Sequence, residues 1–133
     1  MNTDKNNAAL TGKVIGAVFE VSNTLGAGFL EKVYERALMR ELQLRGIRAQ
    51  SQVPLTVSYK GQEVGQYIAD LVVEDELIVE LKCVKELATD HMAQCLNYLK
   101  ASGRELCLLV NFQGNKAEYK RVVNSVQWDL RRY

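Results

Sequence analysis

Asp70, Glu80 and Lys82 have the side-chain types and the spacing to handle a cation and a phosphate. They lie in the stretch YIADLVVEDELIVELK, Tyr67 to Lys82, where Leu71 and Val73 alternate on one arm and Leu77, Val79 and Leu81 on the other, with Glu74, Asp75 and Glu76 between. That pattern predicts two antiparallel strands folded into a hairpin. Opposed residues share a face, and a slip of one residue turns every apolar side chain to the wrong side. Burying the aliphatic residues together therefore sets Val73 opposite Leu77 and Leu71 opposite Val79. The same register sets Asp70 opposite Glu80, with Lys82 two residues further along. Directly opposed Cβ atoms stand about 4.5–5.5 Å apart, so the two carboxylates repel, and a divalent cation between them removes the repulsion. The ammonium of Lys82 lowers it too. Alternating apolar and charged residues also describe a half-solvated strand, and for a lone D…ExK match that alternative stands. Val72 and Ile78 share the charged face and are apolar, which predicts that this face is covered as well.

The elements that must position this hairpin follow from the rest of the chain. Apolar residues Val14, Val18, Val21 and Leu25 have helical spacing, and a first helix is expected from Thr11, as its N-cap, to about Asn23. Residues 1–9 are polar and expected to be disordered, leaving 10–133 as one domain. Gly26-Ala27-Gly28 interrupts the pattern, and a second helix is expected from about Leu30 to Arg45, closed by Gly46. Gly28, Glu31 and Tyr34 form a stripe three residues apart. Glu31 alone has a sufficient explanation in the helix dipole, and Tyr34 reads equally as core with its hydroxyl at the edge. Val53 to Tyr59 and Val64 to Val73 alternate as strands around a turn at Lys60-Gly61-Gln62, and Pro54 places the first of them at a sheet edge. A third helix, capped by Thr89, runs from Asp90 to about Ala101 and ends at Gly103. It buries Met92, Leu96 and Leu99, with Cys95 alongside, and turns His91, Gln94 and Tyr98 the other way. The single histidine reads as an exposed helix residue. Leu106 to Phe112 is a buried strand, 117–123 a weaker one, and Trp128 anchors the tail. The order ααβββαβ(β) predicts an α/β fold of α+β type, a mixed sheet with helices against it.

Bulk properties narrow the class. The chain has 133 residues, 47% hydrophobic and 25% charged, with one proline and nine glycines, which suits a single core. No stretch approaches the roughly 20 apolar residues of a membrane span, and the polar start lacks the order of a signal peptide, so no membrane and a cytoplasmic location are expected. Cys83, Cys95 and Cys107 are an odd number with no C-x-x-C pair, which predicts core filler and not a disulfide framework or a zinc site. Net charge is +1. From Gly103 onward Arg104, Lys116, Lys120, Arg121, Arg131 and Arg132 outnumber Glu105, Glu118 and Asp129, a mild excess that suits either a solvated tail or the steering of a polyanion.

Asp70, nine intervening residues, Glu80-Leu81-Lys82, and then a helix with Gln94 and Tyr98 in a Q-x-x-x-Y pattern resemble the PD-(D/E)XK nuclease superfamily. In that superfamily a metal-binding Asp and an E-x-K tripeptide sit on a hairpin and the next helix supplies a Gln. Gly28-Phe29-Leu30-Glu31-Lys32-Val33-Tyr34 is similar to the motif of the GxxExxY protein family, and the likeness runs from about Val14 to Val123. Ser22 stands where a His is frequent and Ile68 where an Arg often precedes Ala-Asp, departures that bear on substrate contacts. The resemblance implies a restriction-endonuclease-like core and a metal-dependent nuclease that hydrolyses phosphodiester bonds of DNA or RNA, DNA before RNA. It implies Mg²⁺ or Mn²⁺ on Asp70, Glu80 and the backbone carbonyl of Leu81, with Lys82 orienting the attacking water and stabilising charge on the phosphate. Glu31 would be the additional acid, Gln94, Tyr98 and Tyr34 would line the cleft, and Glu20 is a weaker candidate. A homodimer would lengthen the track that one 15.0 kDa domain offers a duplex. The alternative is a catalytically idle binding or assembly module, which the near-neutral charge favours and the retained carboxylates and lysine disfavour.

Overall fold

The computed structural model describes residues 3–124, with side chains from residue 8 onward. Its elements are α1 (Thr3–Leu25), α2 (Glu31–Leu44), β1 (Ala49–Tyr59), β2 (Gln62–Val73), β3 (Leu77–Lys82), α3 (Thr89–Ser102), β4 (Leu106–Asn111) and β5 (Glu118–Val123). The five strands lie side by side in chain order. All neighbours are antiparallel except β3 and β4, and α3 is the crossover that a parallel pair requires.

The hairpin has the register that apolar alternation demands: Leu71 pairs with Val79, Val72 with Ile78 and Val73 with Leu77. Both faces of the sheet are covered. On one, Leu71, Val73, Leu77, Val79 and Leu81 pack with Val14, Val18, Val21, Tyr34, Leu38 and Leu42 of α1 and α2. On the other, Val72 and Ile78 pack with Cys95, Tyr98 and Leu99 of α3. This is why β4, LCLLVN, is buried at every residue and shows no alternation.

Several boundaries differ from expectation. α1 starts at Thr3, so the segment expected to be disordered is largely helical and Thr11 is a buried interior residue, not a cap. The Ala8-Ala9-Leu10 run carries the helix back, and Leu10 packs on the core. α3 begins after Ala88, whose N–H donates to Nδ1 of His91 at 2.9 Å. The half-buried imidazole thus satisfies an amide at the helix start that Thr89 was expected to serve. β1 begins four residues before Val53, because Gln52 at φ +54° disturbs the alternation there. β1 and β2 meet through Lys60 and Gly61 at φ +48° and +84°, the backbone of a type I′ turn. β1 is an edge strand, as Pro54 indicates. Trp128, Arg131 and Arg132 lie outside the described residues. No described helix is long and apolar enough to cross a membrane.

Candidate active site

Next to the Leu71–Val79 pair the hairpin ladder is taken over by side chains. The N–H of Leu81 donates to Oδ2 of Asp70 at 2.8 Å, and the N–H of Asp70 faces Oε1 of Glu80 at 3.4 Å. Ala69 packs on the α3 side and Leu71 on the α1/α2 side, so strict alternation lapses at Asp70. β1 lapses beside it: Gln52 lies between the Ser51–Leu71 and Val53–Ala69 pairs and has a positive φ. The two carboxylates expected to oppose each other are therefore brought together. Nζ of Lys82 lies 3.6 Å from Oε2 of Glu80, with only 18% of its side chain exposed.

Electrostatics follow from burial. Glu80 is 4% exposed, and desolvation, with the charge of Asp70 added, pushes its carboxyl from 4.5 up to about 8; Lys82 opposes this. Desolvation raises Asp70 too, with Glu35 and Glu31 adding to the rise and the Leu81 N–H working against it. Near neutral pH the pair therefore holds a proton unless a cation replaces it. The two carboxylates are oxygen donors, which suits a hard divalent ion that keeps several waters. Among the described residues no group of three or more His, Cys, Asp or Glu side chains forms a ready-made cage.

Glu31 arrives at this cleft through the build of the loop before α2. Gly26 and Gly28 take φ +71° and +109°, and the second of these strains any residue with a Cβ. The Tyr34 hydroxyl donates to the Gly26 carbonyl and accepts from the Phe29 N–H at 3.2 Å, while its ring stacks on Phe112 at 4.6 Å. Tyr34 is 0% exposed, so it does not line the cleft: it is a core residue that pins the loop. Glu31 then opens α2, where the helix dipole favours it, and its Oε2 accepts the N–H of Cys83 at 3.2 Å. The dipole explanation and a place beside the end of β3 hold together.

Tyr98 is buried on α3 against Tyr67, with ring centroids 5.6 Å apart. Burial raises its phenol above the ordinary range, and the charges of Glu80 and Asp70 add to the rise. Gln94 is half-buried one turn before it, and its side chain makes no hydrogen bond among the described residues. Glu20 is exposed and accepts from the Thr24 hydroxyl at 3.2 Å, with nothing tying it to the carboxylates. Ser22 is buried and accepts from the Ala117 N–H, and Ile68 is an exposed strand residue.

Two residues of the site escaped sequence reasoning. Glu35 is buried, bonded to Lys32 Nζ at 3.3 Å and to Gln52 Nε2 at 3.0 Å, and its charge acts on Asp70. Its one signal was its position four residues after Glu31 on the same helix face. Gln52 carried none, because a positive φ in a strand leaves no pattern. Asn111 closes the far side of β3, holding Val84 through both its N–H and its carbonyl.

Comparison with known proteins bears on this arrangement. A family model described as the PD-(D/E)XK nuclease superfamily matches residues 8–122. Among solved structures, the crystal structure of SSO0001 matches with a TM-score of 0.58 at 16% identity, over 70% of this chain and 49% of that one. This chain thus spans about half the length of that neighbour. An alkaline exonuclease (LHK-Exo) from Laribacter hongkongensis gives a TM-score of 0.49 at 11% identity, over 86% of this chain and 79% of that one. No curated protein matches. At 16% identity the likeness to SSO0001 speaks to the fold alone. The family match is different in kind, since it covers both helices before the sheet, the carboxylate hairpin and the crossover helix: the chain belongs to the PD-(D/E)XK nuclease superfamily.

Proposed function

We propose that this protein is a Mg²⁺- or Mn²⁺-dependent nuclease of the GxxExxY type that hydrolyses phosphodiester bonds, in DNA before RNA. The observation that carries this reading is that half-buried Asp70 and buried Glu80 lie side by side, with Lys82 3.6 Å from Glu80. Like charges so placed destabilise a sheet unless a cation joins them.

Asp70, Glu80 and the Leu81 carbonyl would hold the ion, whose chemistry is polarisation of a phosphoryl oxygen and a lowered pKa for the attacking water. Lys82 is a fixed cation at the mouth of the pair, suited to orienting that water and to stabilising charge on the phosphate. Glu31 and Glu35 add negative charge behind Asp70, which favours the cation-loaded state. Tyr98, with its phenol pushed upward, keeps its proton at neutral pH and is suited to hydrogen bonding, not to acting as a base. The Cys83 thiol, raised by burial and by Glu31, is not poised as a nucleophile. Gln94 is suited to contact substrate from α3.

Incubation of wild type and Lys82→Ala with mixed DNA and RNA, with and without Mn²⁺, tests the proposal. Cleavage that needs both Mn²⁺ and Lys82 supports it. Nucleic-acid binding without any cleavage would instead favour the idle binding module, which the modest net charge of +1 allows.

A further inference from the structure

The groove between α2 and β1 leads away from the carboxylates and is lined by the opposite charge. A cavity of about 660 Å³ opens there, walled by Arg36, Arg40, Gln43 and Arg48 over a floor that includes Met39 and Ile47, with no Asp or Glu in its lining. Lys32, Arg36 and Arg40 follow at four-residue steps and share one face of α2. Arg36 has no ion-pair partner among the described residues, and Arg40 donates to the neutral Gln43 at 3.0 Å. Arg48 is paired with Glu74 at 3.1 Å but keeps 83% of its side chain exposed. An ordinary solvated helix face mixes signs along such a stripe; this one does not. In the C-terminal part of the chain, where the sequence suggested a basic excess, Arg104 is bonded to Asp75 at 2.9 Å.

The helix that walls the groove also carries Glu31 and Glu35 towards the candidate active site. Lys32 contacts Glu35, Glu35 accepts from Gln52 of β1, and Gln52 lies between the strand pairs that flank Asp70. At about 1.5 Å per residue, Arg40 stands roughly 8 Å along the helix from Glu35. A nucleic-acid strand rises about 3.4 Å per nucleotide, so Arg40 falls about two nucleotides along from Glu35. Guanidinium groups present paired donors that match phosphate oxygens, and Arg36 and Arg40, with no ion pair among the described residues, leave that charge available.

We propose that the α2–β1 groove seats the sugar-phosphate backbone of a nucleic-acid strand, held by Arg36, Arg40 and Arg48. This rests on the nuclease reading of the carboxylate site. Because the contacts are to phosphates and not to base edges, the groove positions substrate without reading its sequence.

The test is fluorescence anisotropy of a labelled mixed-sequence oligonucleotide, single- and double-stranded, titrated in EDTA across a range of salt with wild type, Arg36→Ala/Arg40→Ala and Arg36→Lys/Arg40→Lys. We expect the alanine variant to bind about tenfold or more weakly at low salt, with a log–log salt slope shallower by about 1.5–2. The lysine variant should recover most of the slope, and the thermal midpoint should stay at the wild-type value. Equal affinity and equal slope in wild type and the alanine variant overturn the groove and leave the nuclease reading untouched. Arginine-dependent binding in a protein that never cleaves with Mn²⁺ supports the groove and overturns the nuclease reading. Wild type that binds no oligonucleotide overturns the groove outright.

Discussion

Replacing Glu80 by Gln in the metal-free protein should stabilise it at pH 8 and leave it little changed at pH 5. The amide has the same shape and can still accept from the Asp70 N–H, so the change is chiefly one of charge. In the wild type the Glu80 carboxyl titrates at about 8 when folded, against an ordinary value of 4.5. A group whose pKa is raised by folding stabilises fully below its unfolded value, and that contribution is lost as pH rises through the folded value. At 1.36 kcal/mol per pH unit the full rise is worth about 5 kcal/mol. Lys82 remains nearby and Asp70 can take the proton instead, so about 2 kcal/mol is the expected loss between pH 5 and 8. Urea denaturation in EDTA at half-unit pH steps measures it. Wild type should weaken steadily across this window, and Glu80→Gln should stay nearly level and exceed wild type by about 2 kcal/mol at pH 8. A wild type with level stability, or a variant weaker than wild type at pH 8, would refute the claim that these carboxylates are held against their mutual repulsion.

Lys82→Ala should have the opposite sign, losing about 1–2 kcal/mol in EDTA at pH 8 because the buried pair gives up its internal counter-charge; the same urea series reads it. Added Mn²⁺ should stabilise wild type more at pH 8 than at pH 6, since the ion displaces a proton. The gain should approach about 2.7 kcal/mol at one hundred times Kd and vanish in Asp70→Asn, as thermal melts would show. Tyr34→Phe removes the hydroxyl that joins the Gly26 carbonyl to the Phe29 N–H. We expect a loss of about 1–3 kcal/mol and a fall in kcat with KM held, because Glu31 is displaced while Tyr34 touches no substrate.

What the chain declares about itself depends on which residues repeat a pattern. The hairpin was legible because Leu71, Val73, Leu77 and Val79 admit one register, while the approach of Asp70 to Glu80 lies just past its end, where side chains take over the ladder. Apolar Val72 and Ile78 foretold the cover that α3 provides on the charged face. The motif around Glu31 was visible as spacing, but its division of labour was not. Tyr34 looks like a cleft residue until its hydroxyl is seen bonded on both sides within the loop. Gln52 and the start of β1 were illegible for a physical reason: each depends on a local break in β geometry, and periodicity reports only where geometry is regular; Glu35 had only its helical spacing from Glu31 to mark it. The arginine groove was hidden similarly, because Arg48 joins Arg36 and Arg40 only once the chain has turned at Gly46.

The central claim, that Asp70 and Glu80 form a site for one divalent cation, is tested most directly by titrating Mn²⁺ calorimetrically into wild type and Glu80→Ala at pH 8. A single saturable site in wild type that is lost in the variant is the predicted result. Equal binding in the two proteins, or none in wild type, would contradict the claim and leave the buried carboxylates as structural features of the hairpin.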